Sequence, residues 1–257
     1  MAMQVQEVKC FGVRAGEGNR ALVVQDGPPG EAERQTFARA SDVSACVFID
    51  GDVLDYYYPH MRSPLCLHAT LAAAHVLFEQ HVADGPITVK TALRRQVLTL
   101  SREGGAIFVA LRRQPVDAPA PAAALVTELL AAPGLVLTSA PVLASVGSPK
   151  LLVEVKDCAT LHGLRPDLAR IVAWSKANGV NGCYVYCRTG PSEYEGRNFN
   201  HLDAALEDSA TGVAAGALSA WLGHGLTMLQ GRAMGNPCRI VSRVDGETIA
   251  VGGATEL

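Results

Sequence analysis

Three ionisable residues stand where polar loops run into alanine-rich stretches. Cys66 and His68 lie in Cys66-Leu67-His68-Ala69-Thr70, and Asp208 lies in Glu207-Asp208-Ser209-Ala210-Thr211-Gly212-Val213-Ala214. A thiol at a helix N-terminus ionises more readily than a free cysteine, and imidazole shuttles protons near neutral pH. Removing a proton beside a carboxylate or an enamine needs such a base and something to hold the developing charge. A helix start supplies the second part, because its first N–H groups lack internal partners and its dipole adds partial positive charge. Here those donors are the amides of Leu67 and His68 in one stretch and of Thr211, Gly212 and Val213 in the other. Two such ends facing one another would make a pocket suited to a carboxylate.

Each residue also has a plainer reading. Asp208 can simply complement the positive end of the second helix. His68 can be a first-turn histidine bonded to backbone, and Cys66 can be packed and inert. Asn19, in a Gly-Asn turn, can bind polar groups of a substrate or merely adopt a left-handed conformation. Imidazole chemistry at His75 and His81 is not expected, since both fall on or just past the helix that follows Cys66, as packing or surface residues.

The two stretches superpose along the chain, Cys66 meeting Thr211, Ala69 meeting Ala214 and Leu77 meeting Leu222, so the 257 residues read as two copies of one unit. Apolar residues make up 49% of the chain, enough for a buried core. A net charge of −3 gives no basic footprint for nucleic acid. No run approaches the about 20 apolar residues that span a bilayer, and no signal-peptide pattern opens the chain, so a cytoplasmic protein is expected. The seven cysteines contain no C-x-x-C pair, which argues for free thiols and against a structural metal.

The periodicity predicts a hairpin over 4–13 and 20–25, a helix over 31–40 and strands at 45–49 and 53–58. A loop follows at 59–64, then a helix over 67–80 that is small or apolar nearly all round and is therefore buried. Strands at 86–91, 94–101 and 106–111 end the first unit, and the Pro- and Ala-rich 114–121 is a linker. The second unit reads as a helix at 122–131, strands near 134–144 and 149–156, and a helix from Pro166 to Ala177. Strands at 181–188 and 194–200, a polar loop over 201–210, a helix at 211–222 and strands at 236–244 and 248–253 complete it. Hairpin-ordered strands with one apolar helix per unit predict an α+β fold in which a curved mixed sheet wraps each central helix. No G-x-G-x-x-G or P-loop is present to bind a nucleotide.

Several pieces in this order resemble the phenazine-biosynthesis PhzF family, within the diaminopimelate-epimerase-like fold. They are Gly18-Asn19 with Ala21-Leu22-Val23-Val24, Tyr58-Pro59 leading to Pro64-Leu65-Cys66-Leu67-His68-Ala69-Thr70-Leu71, and Ser148-Pro149-Lys150-Leu151-Leu152-Val153. Glu207-Asp208-Ser209-Ala210-Thr211-Gly212, Gln230-Gly231-Arg232-Ala233-Met234-Gly235 and Val251-Gly252-Gly253 follow. The resemblance implies two pseudo-symmetric domains, 1–113 and 122–247, joined by 114–121. In this fold the C-terminal strand, here about 248–257, commonly returns to the first domain. It also implies a cleft between the domains, a homodimer, and proton transfer on a small carboxylic acid without metal or organic cofactor. A place in secondary metabolism is expected by analogy.

Departures from the family pattern bear on mechanism. Isomerases that this chain resembles carry an acid/base glutamate in an S-E-T-like segment after the first helix. The segment here is Ser44-Ala45-Cys46, and alanine holds no proton. Leu67 stands for the glycine of C-G-H-A-T, and Val213 for the serine of T-G-S-A, changes that keep the backbone donors and lose a hydroxyl. The expectation is a cofactor-independent isomerase or epimerase of a small amino or hydroxy carboxylic acid. Asp208, His68 and Cys66 carry the chemistry, and Asn19, Leu67, Thr211, Gly212 and Val213 bind substrate. A binding protein that kept the pocket, or a lyase using the same cleft, is the alternative.

Overall fold

The computed structural model describes residues 2–80, 85–200 and 207–257; His81 and most of the polar loop read over 201–210 lie outside them. The chain divides into two units, Met1–Ala110 with Gly252–Leu257, and Leu111–Val251.

In the first unit β1 (Gln4–Cys10) runs antiparallel to β2 (Asn19–Gln25), with Cys10 opposite Asn19. The chain crosses through α1 (Glu31–Ala40) to β3 (Ala45–Asp50), parallel to β2. The turn at Gly51, with φ at 62°, folds β3 back into β4 (Val53–Tyr58). Where the sequence predicts a loop after Pro59, Met61–Ser63 pairs with β4 as β5, because the four residues between Pro59 and Pro64 leave room for a short ladder. Then α2 (Leu67–Gln80) leads to β6 (Ile87–Thr91), parallel to β4, and to the antiparallel β7 (Val97–Glu103) and β8 (Ala106–Arg112).

The two faces of this sheet are covered differently. On one, Phe37 and Ala38 of α1 pack on Val24, Cys46, Phe48 and Tyr57. On the other lies α2, buried from Leu67 to Ala74 without a polar stripe, which only a helix enclosed on most sides tolerates. The alternation along β4 sends Tyr56 to α2, its hydroxyl 2.8 Å from Thr70 Oγ1, and Tyr57 to the opposite side, where it donates to Asp55.

The second unit repeats the series. After α3 (Ala123–Leu129), β9 (Val142–Ala144) pairs antiparallel with β10 (Lys150–Glu154). Two helices, α4 (Cys158–Gly163) and α5 (Leu168–Asn178), connect it to the parallel β11 (Cys183–Arg188). Antiparallel to β11 runs β12 (Glu193–Phe199), which is flanked by the two-residue β13 (Glu207–Asp208) and, after α6 (Gly212–Leu222), by the parallel β14 (Thr227–Gln230). β15 (Cys238–Asp245) and β16 (Thr248–Gly253) follow, and the last strand, β17 (Thr255–Glu256), pairs with β1.

Local chemistry accounts for the differences from the sequence reading. Strand 134–144 shrinks to Val142–Ala144, since Pro141 lacks the N–H that a longer ladder needs. The short α4 arises where Asp157 accepts the Thr160 amide at 2.8 Å, and α5 starts after Asp167, which accepts the Arg170 amide at 2.9 Å, so Pro166 lies outside the helix. Thr227–Gln230 forms a strand that periodicity did not mark.

Candidate active site

One candidate cluster surrounds the start of α2. Cys66 precedes the helix and its carbonyl accepts the Thr70 amide at 2.9 Å. Its Sγ lies 3.3 Å from His68 Nδ1, and His68 Nε2 lies 3.1 Å from Ser44 Oγ. The other two neighbours of that hydroxyl are acceptors, Asn19 Oδ1 at 2.8 Å and the Arg20 carbonyl at 2.9 Å. A serine has one proton to give, so it goes to one of these oxygens, and Ser44 accepts from His68 Nε2–H. Nδ1 is thereby left facing the Cys66 thiol as an acceptor. The result is a line from thiol through imidazole to hydroxyl, with Cys66, His68 and Asn19 all buried and Ser44 exposed.

Charge follows from this geometry. Burial pushes the Cys66 thiol up, but the charge and hydrogen bond of His68, with help from Tyr58 and the Ala69 amide, outweigh it and hold the thiol below its ordinary range. A packed, inert cysteine would show the opposite direction, as Cys46 does, where burial raises the thiol to about 11. Asn19 is extended as the first residue of β2. The left-handed geometry of that turn belongs to Gly18, with φ at 124°, so a purely conformational role for Asn19 falls away. Leu67 is buried in the first turn of α2. His75, farther along, bonds Thr255 Oγ1 at 2.8 Å and is a packing residue.

A second candidate cluster surrounds the start of α6. Asp208 lies in β13 opposite Asn198, and its Oδ2 accepts the Thr211 hydroxyl at 2.6 Å. Gln230, 1% exposed at the end of β14, ties these groups together. Its Oε1 accepts from the Tyr184 hydroxyl at 3.0 Å and the Thr211 amide at 3.2 Å, while its Nε2 donates to the Asp208 carbonyl at 2.6 Å and to Thr211 Oγ1 at 3.1 Å. Thr211 was expected to offer its amide to a ligand; that amide is already donated to Gln230. Gly212 and Val213 remain as the first-turn donors, and neither amide has an acceptor among the described residues.

Two glycines make this arrangement possible. Gly231 turns the chain after Gln230 with φ at 86°, and a Cβ there would collide with the Asn236 and Ser209 carbonyl oxygens. Gly196 leaves room for the Tyr184 ring, whose Oη would lie 2.8 Å from an added Cβ. Ser44, Tyr184 and Gln230 escaped the sequence reading as site residues. Ser44 stood beside Ala45, and Gln230 opened a quoted family motif, so each carried a signal.

Away from this face, Glu195 gathers His162 at 2.8 Å and Arg232 at 3.0 Å, and Cys158 lies 3.2 Å from Cys187. Among the described residues no group of three or more His, Cys, Asp or Glu is placed to hold a metal ion, and no helix is long and apolar enough to cross a membrane.

Two β-sheet units in α+β order, each with one buried helix, make a fold shared with solved structures of PhzF proteins. The structure titled a predicted epimerase, PA4716 from Pseudomonas aeruginosa, aligns over 100% of this chain and 97% of that one with a TM-score of 0.81, at 23% identity. The family described as phenazine biosynthesis-like protein, PhzC-PhzF, matches residues 8–255, and the chain belongs to that family. An isomerase of Salmonella typhimurium, named uncharacterized isomerase YddE, is 31% identical over 91% of this chain and 84% of its own length. Trans-2,3-dihydro-3-hydroxyanthranilate isomerase of Pseudomonas aeruginosa is 26% identical over 93% and 89%. The chain is accordingly an enzyme of the isomerase class.

Proposed function

We propose that this isomerase moves a proton within a small amino or hydroxy carboxylic acid, with no metal or organic cofactor. The observation that carries this reading is the thiol–imidazole–hydroxyl line Cys66–His68–Ser44. It supplies a group that takes up and returns a proton although Ala45 cannot. In the proposed step His68 or the Cys66 thiolate removes a proton from a substrate carbon. The electron pair left behind delocalises toward the carboxylate or an adjacent double bond. Asp208, protonated at that stage, returns a proton elsewhere on the molecule, and the roles reverse in the opposite direction. The Gly212 and Val213 amides at the start of α6 hold the carboxylate.

The test is proton exchange in D₂O, followed by NMR over a panel of cyclic and acyclic amino and hydroxy acids. Exchange at carbon on at least one compound, lost in Asp208→Asn and in His68→Ala and unchanged after dialysis against a chelator, is the expected result. Ligand-induced stabilisation with no exchange on any compound would overturn the reading in favour of a binder. Exchange that persists after complete alkylation of Cys66 leaves His68 as the sole base in this cluster.

A further inference from the structure

Lys150 is a buried cation in the same sheet face as Asp208. It opens β10 at 3% exposure, and its Nζ donates to the Asn181 carbonyl and, at 3.2 Å, to Asn198 Oδ1. Both partners are neutral, and no described carboxylate makes a direct ion pair with it. Burying an ammonium without a paired anion is expensive, so the site must hold it for a reason. The strand register supplies one. Leu152 lies beside Tyr184, Tyr184 beside Asn198, and Asn198 beside Asp208, which puts Lys150 on the face that carries the Tyr184–Gln230–Thr211–Asp208 network.

From this geometry we infer that Lys150 is a positioning residue for Asp208, orienting it through Asn198 and standing as its counter-charge. The inference rests on the proposed role of Asp208 in proton transfer. Lys150 touches neither substrate nor reacting atoms in this assignment. It fixes the residue opposite the carboxylate in the β12–β13 ladder and supplies positive charge where the carboxylate must shed and regain a proton.

The groups facing the ammonium support the assignment. Burial pulls its pKa down to about 8, against which the negative charge of Asp208 on β13 acts to keep the proton; the Cys183 thiol of β11, pushed up to about 12 by burial, is neutral and lies beside Leu151 on the other face. Tyr184 on β11 is held neutral, because burial raises its hydroxyl, with the Asp208 charge adding to the effect. Glu195 and Arg197 of β12 alternate to the opposite side of the sheet from Asn198, and Arg197 is paired with Glu207 there at 2.7 Å. Neither β9, which sets Ala144 beside Lys150, nor α6 brings an ionisable side chain. Asp208 is thus the one carboxylate that this cation answers among the described residues.

The experiment is the pH profile of the exchange reaction in wild type, Lys150→Met and Lys150→Arg. In wild type the kcat should fall above about pH 8 as the ammonium loses its proton. Lys150→Met should lose ten-fold or more in kcat at pH 7 with KM little changed, and should lack the alkaline limb. Lys150→Arg, whose charge persists, should keep more activity and carry it to higher pH. Should Lys150→Met fail to fold, Lys150→Arg alone decides the matter through the displaced limb. An alkaline limb identical in wild type and Lys150→Arg would overturn the inference. Asp208→Asn separates the two readings. Exchange that survives in Asp208→Asn sinks the proposed function, whereas exchange lost there but unaltered in both Lys150 variants sinks only the role of Lys150.

Discussion

Replacing Gln230 by methionine tests how far one buried amide holds the groups around Asp208 and Thr211 together. The glutamine is enclosed and its two ends meet four partners, the Tyr184 hydroxyl, the Thr211 amide, the Asp208 carbonyl and Thr211 Oγ1. Methionine has similar volume and reach, so no large cavity opens. What it leaves behind is two buried donors, the Tyr184 hydroxyl and the Thr211 amide, without an acceptor. Each such group costs about 1–3 kcal/mol, so Gln230→Met should lose about 2–6 kcal/mol of stability. Tyr184→Phe by itself removes one donor and leaves Oε1 still bonded to Thr211, at a loss of about 1 kcal/mol. In the double variant the stranded hydroxyl no longer exists, and the combined loss should fall short of the sum by about 1–2 kcal/mol. Urea unfolding followed by circular dichroism measures all four corners of this cycle, with equal m-values as the condition for comparing midpoints. Losses that add to within about 0.5 kcal/mol, or a Gln230→Met protein as stable as wild type, would refute the view that this amide organises the start of α6.

Two further outcomes follow from charge. In His68→Ala the Cys66 thiol loses the charge and the hydrogen bond that hold it below its ordinary range, while burial remains. Its alkylation by a small reagent should therefore slow at pH 7 and shift to more alkaline pH, which the rate of alkylation against pH will show; an unshifted profile would exclude His68 as the cause. Lys150 binds its proton less tightly when folded, at about 8 against an ordinary 10.5, so between those values the unfolded chain carries the extra proton. Stability should rise across that window by up to about 3 kcal/mol. Unfolding measured in a pH series should show this rise in wild type and not in Lys150→Met.

How much of this was legible in the chain depends on the span of each interaction. Helices α2 and α6 were readable because their alanine-rich sequences have no polar face to leave in water. The Cys66–His68 contact is two residues long, and a helix start fixes it. Gln230 reaches Tyr184 across 46 positions, and Lys150 reaches Asn198 across 48. Such pairs depend on which strands become neighbours, and local periodicity carries no information about that. Met61–Ser63 escaped for a related reason: its ladder exists only because β4 has an edge to offer. The amide of Thr211 looked open from its place at a helix start, and only the arrival of β14 with Gln230 closes it.

The pairing of β17 with β1 sets Lys9 against Glu256 and Cys10 against Thr255. During synthesis β1 can pair early with β2, but the end of its other edge stays open until Thr255 and Glu256 have been made. Vectorial folding gives the second unit, contiguous in the chain, the chance to form first. The closing segment then acts as a late clasp, and a nascent chain stalled before Thr255 would hold an unsealed strand edge open to other chains.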